Sequence, residues 1–229
     1  MEKFIQEKLN MVLIDKVTIA GLSIRKIIDE ERLFKKGVLS ISGKTKKICI
    51  RKKDFPAIDI LSLNITKNSG FLELSVHNLK YGNIVGWRIE EYLHYIRHIR
   101  NELKRRYGLI LDMSQAHFSK IELNKTILLF QNYESYYPFF QEYVFSRKNG
   151  LYRDFFKDKS NDTVSFYAGT STETIKIYNK SAQSQYKEET NLARVELKLC
   201  KNSIPMELGK IIWQIHDDIK KVSIQRITV

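Results

Sequence analysis

The sequence predicts an α+β fold: a central, mostly antiparallel β-sheet with helices on one face and a polar face on the other. Three observations predict it. Short runs with an apolar residue at every second position recur along the chain. Several of these runs meet in pairs at tight turns, as hairpins do. The helical stretches fall between them without a strict β-α-β rhythm, which argues against a parallel sheet. Glycine and proline are scarce, 10 and 3 of 229 residues, and neither a repeat nor a low-complexity linker divides the chain. A single domain over 1–229 is therefore expected.

The elements follow in order. MVLIDKVTIAG (11–21) reads as a strand. VLSIS (38–42) and KICIR (47–51) flank Gly43-Lys44 and read as a hairpin. FLELSVHNL (71–79) alternates as a strand does. WRIEEYLHYIRHIRNELKRRYG (87–108) is the clearest helix: Ile89, Leu93, Ile96, Ile99 and Leu103 form one stripe, and Gly108 supplies the stop. HFSKIELNKTI (117–127) is a further strand. The aromatic stretch 130–145 predicts a helix broken near Pro138, its rings chiefly core. TVSFYAG (163–169) and TIKIYNK (174–180) predict a second hairpin, NLARVELKL (191–199) a strand, and MELGKIIWQIHDDIKKV (206–222) a closing helix.

Composition narrows the partners. The net charge is +13, which favours a polyanion, either nucleic acid or an anionic membrane. No run of 18 apolar residues exists to cross a bilayer, and the charged N-terminus lacks the apolar core of a signal peptide. A membrane-surface helix needs a clean apolar face, and the stripe of 87–107 belongs to a packed helix instead. Nucleic acid is the better-supported partner. Cys49 and Cys200 lie far apart in apolar runs and read as reduced, buried thiols of a cytoplasmic protein.

The two-residue period also sorts side chains between faces. Leu72, Leu74 and Val76 face one way, with Glu73, Ser75 and His77 opposite; Ile121 and Leu123 oppose Lys120, Glu122 and Asn124. Ile175 and Ile177 oppose Lys176, Tyr178 and Lys180; Val195, Leu197 and Leu199 oppose Arg194, Glu196 and Lys198. Strand by strand, this is the wet side of a half-solvated sheet. Taken together, the set carries chemistry. Glu73, Glu122, Glu196 and His77 are ligand types for Mg²⁺ or Mn²⁺. Lys120, Lys176, Lys180, Arg194 and Lys198 suit phosphates. Tyr178 is a nucleophile type, and the cations beside it are expected to lower its pKa from about 10. Such a site permits transfer of a DNA phosphodiester onto tyrosine: the 5′ phosphate stays on the ring oxygen and the 3′ hydroxyl leaves. Tyr186 is a rival nucleophile in a solvated context.

These residues resemble a family. FYAGTSTETIKIYNKSAQ followed by NLARVELKL resembles the motifs of rolling-circle replication initiators of the Rep_trans plasmid type. HFSKIELNKTI is similar to that family's upstream acidic strand, and FLELSVHNLKYGN to a segment of filamentous-phage gene II replication proteins. The resemblance covers roughly 70–200. It implies Tyr178 as the nicking tyrosine with Lys180 and Arg194 beside it, and Glu122, Glu196 and His77 as ligands of Mg²⁺ or Mn²⁺. It implies single-stranded or hairpin-extruded DNA at a replication origin as substrate, in the cytoplasm of a bacterial host. A host helicase and a homodimeric assembly are partners the resemblance leaves open. Plasmid members carry a second aspartate four residues after the first acid, where this chain has Thr126. Lys104, Arg105 and Arg106 at the end of the long helix are further DNA-contact candidates. The alternatives are a basic DNA- or RNA-binding domain without chemistry, and a conjugative relaxase-like relative.

Overall fold

The computed structural model describes residues 11–75, 86–146, 152–158, 163–183, 191–200 and 204. Its strands are β1 (Val12–Ile27), β2 (Leu39–Ser42), β3 (Thr45–Arg51), β4 (Ile60–Asn64), β5 (Ser69–Ser75), β6 (Leu109–Asp112), β7 (His117–Leu128), β8 (Tyr152–Asp158), β9 (Thr163–Gly169), β10 (Glu173–Asn179) and β11 (Leu192–Cys200). Its helices are α1 (Glu30–Lys35), α2 (Ile89–Tyr107), α3 (Tyr137–Ser146) and α4 (Lys180–Gln183), with a 3-10 turn over Tyr133–Tyr136 before α3. The strand pairings with assigned registers are antiparallel, as expected. The helix expected over 206–222 lies outside the described residues.

The chain divides into two compact units. One takes residues up to Val17, then Ser75–Ile89 and Lys120–Ser203; the other takes Thr18–Leu74, Glu90–Ser119 and the chain from Ile204. Both β1 and β7 therefore contribute residues to each unit, where the sequence was read as one domain over 1–229.

In the second unit the strands run β2-β3-β4-β5-β1, with β6 also on β1. The hairpin at Gly43-Lys44 forms as predicted, Leu39 opposite Ile48. The predicted strand 11–21 runs on to Ile27 because Gly21 is no terminator: it takes φ 72°, and a Cβ there would lie 2.1 Å from the carbonyl oxygen of Gln115. Only glycine tolerates both conditions. Helix α2 buries Leu93, Ile96, Ile99 and Leu103 of the predicted stripe, leaving Ile89 half-buried, and stops at Gly108, whose φ of 62° is the left-handed cap. Tyr95 and Tyr107 on the same helix donate hydrogen bonds to the carbonyls of Ala57 and Asp54.

In the first unit the order is β1-β7-β11-β10-β9-β8. The helical layer covers one side: Tyr133, Phe140 and Val144 pack against Phe166, Ala168, Ile175, Ile177 and Ala193. Pro138 does not break this helix. It sits in the first turn of α3, where its missing N–H would have no partner anyway. The aromatic stretch splits between roles, since Phe140 is 5% exposed while its neighbour Phe139 is 62% exposed. Cys49 and Cys200 are free thiols, but half-buried rather than buried.

Candidate active site

Registers in the first unit place the predicted polar residues on one face. Tyr178 lies opposite Arg194, and Arg194 opposite Thr126. The next row is Lys176, Glu196 and Asn124; the next is Thr174, Lys198 and Glu122. The alternation read from sequence for β7, β10 and β11 therefore holds across all three strands up to Tyr178, whereas Lys180, read as the last outward residue of the strand, instead opens α4. The fourth strand of that reading, β5, carries Glu73 opposite Ile60 in the other unit, so Glu73 is no member of these rows. His77 and Tyr186 lie outside the described residues.

Around Tyr178 the face is buried where an open one was expected. Arg194 is 1% exposed, and Tyr178 and Lys180 are each 6% exposed. A buried charge needs partners, and Arg194 has them: Nε donates to Oγ1 of Thr126 at 3.2 Å, and Nη1 reaches Oδ1 of Asp15 at 3.5 Å. Tyr178 donates its hydroxyl proton to Oε1 of Glu196 at 2.6 Å. The ammonium of Lys176 stands 4.7 Å from the centre of the Tyr178 ring, and that of Lys180 stands 5.9 Å from it. Lys180 also donates to Oε1 of Gln183 at 3.1 Å.

Burial sets the proton affinities. The Tyr178 hydroxyl is pushed well above its ordinary value, first by desolvation; Arg194 opposes the rise, while Glu196 and Asp15 add to it. The lowering expected from neighbouring cations is thus reversed, because desolvation of a phenolate outweighs the cations and two carboxylates stand close by. Desolvation also raises Glu196, and Asp15 raises it further. Lys180 is lowered to about 8, first by desolvation and then by Arg194.

The other predicted ligands and contacts scatter. Glu122 shares the face but pairs with Lys120 at 2.8 Å, so each offsets the other's charge. Lys198 lies opposite Glu122. Arg105 and Arg106 both grip Glu102, whose carboxyl they hold down to about 2. Among the described residues no group of three or more His, Cys, Asp and Glu side chains gathers in one place. Sequence reading missed Asp15 and the partnership of Thr126. The signal for Asp15 was an acid inside the apolar run VLIDKV. It also left Asn124 unused, although the alternation put it on the right face. Asn124 is 2% exposed, beside Glu196, and neither its Oδ1 nor its Nδ2 has a hydrogen-bond partner among the described residues.

No family model matches the chain, and no curated protein matches it. Among solved structures it is similar to the rolling-circle replication initiator protein from Geobacillus stearothermophilus, with a TM-score of 0.44 and 9% sequence identity over 91% of this chain and 79% of that one.

Proposed function

We propose that this protein is a tyrosine DNA nickase and strand transferase of the kind that initiates rolling-circle replication. The observation that carries the reading is the 2.6 Å hydrogen bond from the Tyr178 hydroxyl to Glu196, with two ammonium groups around the same ring. The motif resemblance over residues 70–200 and the charge of +13 support it.

The chemistry assigns a role to each group. A phenol with a raised pKa is a poor nucleophile until a base takes its proton as it attacks. Glu196 is that base: its own raised affinity makes it a better acceptor than an ordinary carboxylate. The Tyr178 oxygen bonds to the scissile phosphorus, the bond to the 3′ oxygen breaks, and that oxygen takes a proton from Lys180. The products are a 5′-phosphotyrosyl end and a free 3′ hydroxyl, and the reverse reaction rejoins a strand. Lys176 and Arg194 balance the negative charge of the phosphate. Mg²⁺ commonly binds through one or two carboxylates and the substrate phosphate. Glu196 and the orphaned Oδ1 of Asn124 fit that donor set, and either Mg²⁺ or Mn²⁺ held there would polarise the phosphoryl oxygens.

The burial of Tyr178 favours a second reading, a basic DNA- or RNA-binding domain in which this cluster only holds three strands together. One experiment separates the two. The protein is incubated with Mn²⁺ and labelled single-stranded oligonucleotides of varied sequence, then run on a denaturing gel. Nicking gives an SDS-resistant adduct that Tyr178→Phe abolishes. Salt-sensitive binding with no adduct over a wide random pool supports the binding domain instead.

A further inference from the structure

The second unit carries a cationic feature of its own. Arg97, Arg100, Asn101 and Lys104 of α2 line a pocket floored by Ile110 and Leu111. The cations step by three and four residues, so they share one stripe of the helix. Arg25 joins them from a β-bulge, where the pairing of β1 with β6 slips between Ile24 and Lys26. Bulges redirect side chains; the charge on Arg100 is disfavoured first by its burial and then by Arg25 and Arg97.

Such crowding is unusual without counter-charges. Asp112 is the acid that eases Arg100. Among the described residues, none of Arg25, Arg97, Arg100 and Lys104 makes a salt bridge, whereas Arg105 and Arg106 on the same helix share Glu102. Arg97 and Arg100 are half-buried while Arg25 and Lys104 are exposed, and like charges gathered in this way are stabilised by a bound anion. From Arg97 to Lys104 the helix rises about 10 Å at 1.5 Å per residue. That length lets the row meet more than one phosphate of a single strand. A single free phosphate would leave part of the row unused, and the apolar floor suits a sugar or base.

We propose that this groove binds the phosphate backbone of a nucleic-acid strand, as a contact separate from the Tyr178 cluster and independent of whether that cluster cuts.

The test uses fluorescence anisotropy with labelled oligo(dT) and the full chain carrying Tyr178→Phe, so that cleavage plays no part. Binding is measured across a salt series. Replacing Arg97, Arg100 and Lys104 by Gln should make the slope of log affinity against log salt shallower by about 2, at roughly 0.7 per phosphate contact. Arg97→Lys with Arg100→Lys should keep the slope, and Lys35→Gln, at an exposed ammonium already paired with Glu31, should leave it unchanged. If the triple variant fails to fold, the three single Gln variants should each lower the slope by about 0.7. Coincident slopes for the Gln variants and their parent overturn the proposal. So does displacement of the oligonucleotide by inorganic phosphate at an equal concentration of phosphate groups, which would assign the groove to the free ion.

Discussion

The hydroxyl of Tyr178 on β10 donates to Glu196 on β11 across a diagonal: Tyr178 lies opposite Arg194, and Glu196 lies opposite Lys176. The residue that would attack and the residue that would take its proton are thus fixed by one strand register. A slip of one residue would send either side chain to the aromatic core on the other face.

Removing the Tyr178 oxygen should abolish covalent adducts and spare binding. Tyr178→Phe keeps the ring beneath Lys176 and loses only the hydroxyl. Affinity for a single-stranded oligonucleotide should stay within about twofold. Adducts that persist in the variant would remove Tyr178 from the mechanism.

Glu196→Gln keeps the shape and loses the base. A positioned base contributes about 10²–10⁴ in rate, so adduct formation should slow by that factor with little change in affinity. If single-turnover rates of variant and parent overlay, Glu196 takes no proton.

Lys180 is buried at a cost. Its folded pKa of about 8 lies below the ordinary 10.5, so between those values the unfolded chain binds more protons than the folded one. Stability then rises with pH through that window. Below pH 8 the buried charge costs about 3 kcal/mol, from 1.36 kcal/mol per pKa unit. Lys180→Met should be more stable than the parent at pH 7, and the gap should shrink as pH climbs from 8 towards 10.5. Urea titrations at several pH values read this directly, and a gap that does not change with pH would refute the assignment.

Arg194 anchors the polar rows. Arg194→Leu takes the buried guanidinium away from the partly buried Asp15 carboxylate and from the Thr126 hydroxyl. Breaking a buried pair on one side costs about 3–5 kcal/mol. Replacing Asp15 and Arg194 together by apolar residues should recover much of that loss. Chemical denaturation of the two singles and the double checks it.

The aromatic helix offers a control for packing. Phe140→Ala should cost about 3–5 kcal/mol by opening a cavity under Phe166, while Phe139→Ala should be near neutral. Equal losses would mean that the exposed ring packs as the buried one does.

Much of this was legible in the chain. The alternation of KIELN, IKIYNK and ARVELK assigns faces from a backbone property, because successive side chains of any strand point to opposite sides. The stripe of α2 and its stop at Gly108 follow in the same way from helical geometry and from the left-handed conformation that glycine allows. Short elements such as α1 and β6 went unread, since six and four residues hold too little of any period.

Sequence alone determined which residues share a strand face, where the long helix ends, and that the surface favours a polyanion; the predicted helix start at Trp87 is instead a β-bridge to Ile14, and the helix begins at Ile89. Those properties depend on local backbone geometry and on summed charge. Tertiary structure alone decided that Asp15 meets Arg194 from 179 positions away, that Thr126 caps the same guanidinium, and that Tyr178 lies buried with its hydroxyl on Glu196. It also set the direction of the proton affinities. Alternation tells which way a side chain points; how much water remains there depends on what the rest of the chain packs over it, and desolvation is what raises Tyr178 and lowers Lys180.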